Sequence, residues 1–235
     1  MLIREAMGVF WQTLKDTWEE LYPLGMVNLV WLFSWGLPIG LATATKIPFV
    51  IIIGLVLGVL FFPITMVGIY YVAGRVAHAK TFHFSDFIEG IKKHWWRALL
   101  WLLVNGVFVF LVRMNLLFYP SIFEGGWVAL VLGFWIAIFL FWVMMQIYFW
   151  PLLIAQEEPK MLIAWRNSAY LILANPFYAF FIFCFTFFLL VLSVALTLPF
   201  IFVGMAILAI LGNNAVLTLL SEFDIIENPR PEPLR

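Results

Sequence analysis

NSAYLILANPFYAFFIFCFTFFLLVLSVALTLPFIFVGMAILAILGNNAVLTLLS, residues 167–221, runs for 55 residues without one charged side chain. As a single helix it would reach about 80 Å, far more than the roughly 30 Å hydrocarbon core of a bilayer. The run must therefore fold back as a hairpin, and Thr197, Leu198 and Pro199 are the natural turn. This places two spans at about 177–196 and 200–220, preceded by the tail of an amphipathic segment.

The rest of the chain has the same character. Apolar residues make up 65%, aromatic residues 19% and charged residues only 11% of the 235 residues, where soluble domains carry about a quarter charged. Uncharged runs at about 21–45, 47–73, 98–119 and 127–153 are each long enough to cross the hydrocarbon core. A GxxxG at Gly54 and Gly58 lies in the second of them, a pattern that lets helices approach closely. Ahead of the first span, Met7, Phe10, Leu14, Trp18 and Leu21 recur at helical spacing, with Gln12, Lys15, Asp16, Glu19 and Glu20 mostly between them. That pattern predicts an amphipathic helix along the membrane surface. Met161, Leu162, Trp165, Ala169 and Ile172 repeat it after Pro159. The expected fold is all-α: a polytopic bundle of six transmembrane helices with three amphipathic surface helices on the cytoplasmic side. Residues 1–221 form one transmembrane domain and 222–235 a solvated cytoplasmic tail.

Basic residues set the orientation. With six spans, Arg4, Lys15, Arg75, Lys80, Lys92, Lys93, Arg97, Lys160, Arg166, Arg230 and Arg235 fall on one side, and only Lys46 and Arg113 on the other. Positive loops stay inside, so both termini are expected in the cytoplasm. Arg113 lies sixteen residues beyond Arg97, about 24 Å along a helix, and can snorkel to the far interface. The first twenty residues lack the short apolar core and small-residue site of a cleavable signal, so the mature chain is expected to start at or near Met1.

Several function classes fall away. Thirteen basic and thirteen acidic residues give zero formal net charge, so no nucleic-acid partner is implied. Cys184 is the one cysteine, which precludes a disulfide framework or a thiolate metal site within one chain. G-x-S-x-G, P-loop, H-E-x-x-H and paired catalytic carboxylates do not occur, so the expectation is no enzyme and no cofactor.

The remaining chemistry concentrates in YYVAGRVAHAKTFHFSDFIEGIKKHWWRALLW, residues 70–101, which holds all three histidines and five of the thirteen basic residues. His78, His83 and His94 are irregularly spaced and read as solvated interfacial side chains rather than metal ligands. Ser85 is the expected N-cap of a surface helix over 85–96, with Asp86 and Glu89 in its first turn and Lys92 and Lys93 in its last. Lys92, Lys93, His94, Trp95, Trp96 and Arg97 form a candidate surface for anionic lipid headgroups or for a docking partner. A second candidate is an intramembrane polar site among Asn28, Asn105, Gln146, Asn213 and Asn214. Interhelical hydrogen bonding is its plainer explanation, but Asn213 and Asn214 beside Gly212 could also mark a broken helix of the kind that binds substrate in transporters. Shifting residues 10–28 by 77 superposes Phe10 on Phe87, Lys15 on Lys92, Trp18 on Trp95, Val27 on Val104 and Asn28 on Asn105, consistent with a repeated unit of surface helix plus hairpin.

NLVWLFSWGLPIG (28–40) together with GIYYVAGRVAHAKTFHFSDFIEGIKKHWWRALLW (68–101) resembles the YesL-like family of bacterial integral membrane proteins, a family of unknown function. The matching residues are Asn28, Trp31, Leu37, Pro38, Tyr70, Tyr71, Val72, Phe87 and Gly90. The second half of the chain follows only in hydropathy and helix order, and the connection from Ile39 to Pro63 is longer than in the shortest members. The resemblance implies a multi-pass protein of the bacterial inner membrane, an accessory of carbohydrate uptake, and no catalytic residues. Three readings follow: a non-enzymatic accessory of a transporter or other membrane complex, a small-solute transporter with a polar intramembrane site, and a lipid-binding membrane organiser. The oligomeric state is left open.

Overall fold

Prolines and left-handed residues punctuate the chain. The computed structural model describes residues 2–226. Its helices are α1 (Leu2–Glu19), α2 (Leu21–Ala44), α3 (Pro48–Ala77), α4 (Phe84–Ile122), α5 (Gly126–Ile154), α6 (Met161–Ala174), α7 (Pro176–Leu196) and α8 (Leu198–Glu222). Helices α3, α7 and α8 begin with a proline in the first turn, where the missing N–H has no intrahelical partner to lose. Lys46 (φ 57°) turns α2 into α3, Gly125 (φ 108°) turns α4 into α5, and Thr197 (φ 57°) turns α7 into α8. The hairpin bend therefore falls where the 55-residue run requires it.

Among the described residues every regular element is helical, and α2, α3, α4, α5, α7 and α8 are long and apolar enough to cross a membrane. The chain is an all-α, multi-pass membrane protein. Helix ends agree with the expected spans to within a few residues, with one exception. The surface helix expected at 85–96 is not separate: α4 continues unbroken from Phe84 to Ile122, 39 residues or about 58 Å. Its first turns run back along α3, where Phe87 and Ile91 lie against Gly68 and Tyr71 against Gly90. No proline or glycine break separates 85–96 from the span, so the helix propagates. The N-cap is also displaced, from Ser85 to His83. Asp86 Oδ2 accepts the His83 backbone N–H at 2.8 Å, while Asp86 Oδ1 lies 3.3 Å from Arg75 Nη1. One carboxylate thus fixes both ends of the α3–α4 turn. Of the expected tail, 222–226 is described and 227–235 lies outside the described residues, with Arg230 and Arg235.

Helix α8 is the hub. It packs against α1, α2, α3, α5 and α7, and 72% of its most apolar stretch is buried, against 6% for α4 and 11% for α5. Small residues permit this: Ala206, Ala209 and Ala215 are fully buried, and a Cβ on Gly212 would come within 2.7 Å of the Ile147 carbonyl of α5.

Helix α1 is oriented against expectation. Its buried face is Ala6, Val9, Thr13, Asp16 and Thr17, while Met7, Trp11 and Trp18 are exposed. Thr13 and Asp16 turn inward onto Asn214 of α8, while Lys15 and Glu19 stay exposed. Small and hydroxyl side chains approach the crowded hub closely, and the tryptophans suit the lipid interface. Of the large residues, Phe10 and Leu14 pack against the core, Phe10 stacked on Phe185 with ring centroids 4.7 Å apart.

Toward the end bearing Lys46, α2 and α3 run on as a two-helix arm. Trp31 packs between Phe62 and Phe200, near the α7–α8 turn, and α3 continues from Phe62 to Pro48 for about 20 Å more. GxxxG closes this arm: a Cβ on Gly58 would meet Ile39 Cγ1 at 2.6 Å and the Trp35 carbonyl at 2.9 Å, and one on Gly54 would overlap Ala42 Cβ. Replacing Gly58 by Val should therefore separate α2 from α3, lowering the thermal midpoint in mild detergent by several degrees, whereas Gly106→Val, where a Cβ meets nothing within 4 Å, should leave it unchanged. Equal midpoints for the two variants would contradict the close packing.

Candidate functional site

A polar group in hydrocarbon is costly unless another polar group meets it. The five intramembrane amides are therefore informative through their partners. Asn28, fully buried on α2, uses its whole side chain on α8. Its Nδ2 donates to the carbonyls of Phe200 (3.1 Å) and Ile201 (2.7 Å). Its Oδ1 accepts from the N–H groups of Met205 (2.9 Å) and Ala206 (3.3 Å). The amide acts as a peptide unit laid against the first turns of α8.

Asn105 and Gln146 belong to a different place, a closed ring between α4 and α5. Trp101 Nε1 donates to Gln146 Oε1 (2.8 Å), Gln146 Nε2 to the Trp142 carbonyl (3.1 Å), Trp142 Nε1 to Asn105 Oδ1 (2.9 Å), and Asn105 Nδ2 to the Trp101 carbonyl (2.8 Å). Two indoles and two amides satisfy one another. Phe108 stacks on Trp142 at 4.3 Å beside the ring, and Trp165 of α6 lies 5.7 Å from the Trp142 ring.

Asn213 and Asn214 lie in a third place, on an α8 that runs through them without a break. Asn213 Nδ2 donates to the Ala209 carbonyl of its own helix at 2.8 Å. Asn214 Nδ2 donates across to Asp16 Oδ2 at 2.9 Å and to Thr13 Oγ1 at 3.2 Å, and Gln12 Nε2 donates to Asp16 Oδ1 at 2.7 Å. The hydrogen bonds of the five amides thus fall in three separate places.

Asp16 is the residue that sequence reading missed. Read as a surface side chain, it is only 6% exposed and lies against the hub, so an acid does stand within the bundle. Its three-residue offset from Thr13 was the available signal, since the two share one helix face.

The basic segment divides as well. Lys92, Lys93, Trp95 and Trp96 are exposed, but His94 is 1% exposed, with its ring 6.4 Å from that of Tyr71. Its place on the α3-facing side of α4, one turn beyond Gly90, takes it out of the surface. Arg97 is half-turned inward: Nε donates to the Pro159 carbonyl (3.2 Å), Nη1 to the Lys93 carbonyl (3.1 Å), and the guanidinium carbon lies 4.5 Å from the Trp96 ring. It ties α4 to the α5–α6 connection. His78 and His83 remain exposed, His78 with Nδ1 2.7 Å from the Gly74 carbonyl.

Beyond the basic segment, an open groove of ≈ 570 Å³ lies between α3 and α4, lined by Val59, Leu60, Leu99, Leu102, Leu103, Gly106, Val107 and Phe110. Its walls offer contact to hydrocarbon and no polar side chain. Compared with family models, curated proteins and solved structures, the chain finds no match.

Two measurements check the placement of the amides. A double-mutant cycle of Asp16→Ala and Asn214→Ala should give a coupling of about 1 kcal/mol, within the range of interhelical hydrogen bonds in membranes. Asn28→Leu removes all four hydrogen bonds of the Asn28 side chain to α8 and should destabilise by about 2 kcal/mol, read as denaturant resistance in detergent. Additive effects in the cycle, or a neutral Asn28→Leu, would show that these contacts do not hold the helices.

Proposed function

We propose that the chain is a non-enzymatic accessory of a transporter or other membrane complex in the bacterial inner membrane, with both termini and the basic segment in the cytoplasm. The observation that carries this reading is the division of labour among polar residues. Asn28, Asn105, Gln146 and Asn214 bind helix to helix, whereas Lys92, Lys93, Trp95 and Trp96 are presented outward. A conduit needs polar groups facing a shared path near the bilayer midplane, and those amides are in separate contacts instead. The one-sided distribution of basic residues supports the orientation. The likeness to the YesL-like family supports the bacterial setting and the accessory role.

Alkaline phosphatase fused after Arg235 should be inactive and a fusion within the α4–α5 turn at Gly125 active; the reverse pattern would overturn the orientation. The chain isolated under mild detergent should bring down a membrane complex in stoichiometric amount, and its deletion should reduce uptake of that complex's substrate. Isolation without a partner, together with substrate-dependent flux through the purified chain in vesicles, would replace this reading with that of a transporter.

A further inference from the structure

The α4 wall of the apolar groove is a continuous helical stripe: Leu99, Leu102, Leu103, Gly106, Val107 and Phe110 follow one another by three or one residues. Continued backward at the same spacing, the stripe reaches Trp96, Trp95 and then Lys92. These three are exposed. The opposite face of α4, Phe87, Gly90, His94 and Ala98, is buried. Lys92 and Phe110 are eighteen residues apart, about 27 Å, and the groove from Leu99 to Phe110 covers about 16 Å, close to the depth of one leaflet. A cation, an aromatic collar and a hydrocarbon-lined trough therefore lie in order along one face of one helix, with Val59 and Leu60 of α3 as the far wall.

We propose that this face of α4 binds one anionic phospholipid, its phosphate at Lys92 with Lys93 at the edge, its glycerol region at Trp95 and Trp96, and an acyl chain in the groove. The order of chemistry selects the occupant. A zwitterionic lipid leaves the two ammonium groups without net counter-charge, and a free phosphate leaves the trough unfilled. Arg97 is not part of the site, because its guanidinium is already held at the Pro159 carbonyl and the Trp96 ring. Glu89 stands on the same stripe one turn further out, where its carboxylate accepts the Tyr71 hydroxyl at 2.9 Å; it limits the positive field from that side. The site uses the outward surface of the proposed function, Lys92, Lys93, Trp95 and Trp96, so a protein partner seated on those four residues would exclude the lipid, whereas one docked elsewhere would leave it in place.

The test uses the full chain equilibrated in mild detergent with equimolar phosphatidylglycerol and phosphatidylcholine, with retained lipid counted by native mass spectrometry. The wild type should hold phosphatidylglycerol in preference by about fivefold or more, the effect of one basic residue near an anionic headgroup. Lys92→Glu should bring the ratio near one. Gly106→Leu, at a position where a Cβ meets nothing within 4 Å, should reduce retention of both lipids while the fold is kept. Glu89→Gln should raise the preference, Lys15→Glu should leave it unchanged, and soluble glycerol phosphate should not displace the lipid. Equal retention of the two lipids by the wild type would overturn the proposal. So would an unchanged ratio in Lys92→Glu, unchanged retention in Gly106→Leu, displacement by glycerol phosphate, or a stoichiometric membrane protein in place of lipid.

Discussion

The amide of Asn28 against the opening turns of α8 is the contact on which the bundle depends. Helix α8 packs against five other helices, and a polar side chain between helices in hydrocarbon has to find its partners in protein. Asn28 meets two carbonyls and two N–H groups there at once, and in doing so fixes the height and rotation of α2 relative to α8. From α2 the constraint passes to α3 through Gly54 and Gly58, and from α8 to α5 through Gly212. The remaining helices settle around a position already set.

The other polar residues repeat that logic on a smaller scale. The indole and amide ring of Trp101, Asn105, Trp142 and Gln146 closes α4 onto α5. Asp16 and Asn214 close α1 onto α8. Hydrophobic burial gives little preference between helix and lipid, so small residues and hydrogen bonds decide which helices meet. The apolar surfaces left over on α4 and α3 border the groove between them.

Much of the architecture was legible because hydropathy measures the solvent each segment prefers. Six spans, the turn at Thr197 and the value of GxxxG followed from run lengths and small residues. What failed was direction. The spacing of Met7, Phe10, Leu14 and Trp18 marks one face of α1 as apolar, but in a membrane the apolar face can point to lipid as readily as to protein, so Asp16 was placed on the wrong side. The continuity of α4 failed for a related reason: the charges at Lys92, Lys93 and Arg97 mark an interface without breaking a helix. Candidate amides were identified as residues, yet their grouping required knowing which helices are neighbours. Of the residues paired by the 77-residue shift, Lys15 and Lys92, and Trp18 and Trp95, are exposed, whereas Asn28 and Asn105 meet unrelated partners.

A dry, enclosed α8 is what separates a structural hub from a permeation pathway, and cysteine accessibility reads it directly. In a Cys184→Ser background, single cysteines at Ala206, Ala209 and Ala215, all fully buried, would be exposed to a charged methanethiosulfonate in intact membranes, with Lys93→Cys as the accessible reference. The three hub positions should remain unmodified over times at which Lys93→Cys reacts to completion. Modification of Ala209→Cys from either side of the membrane would mean that water reaches the centre of the bundle, and would contradict the hub.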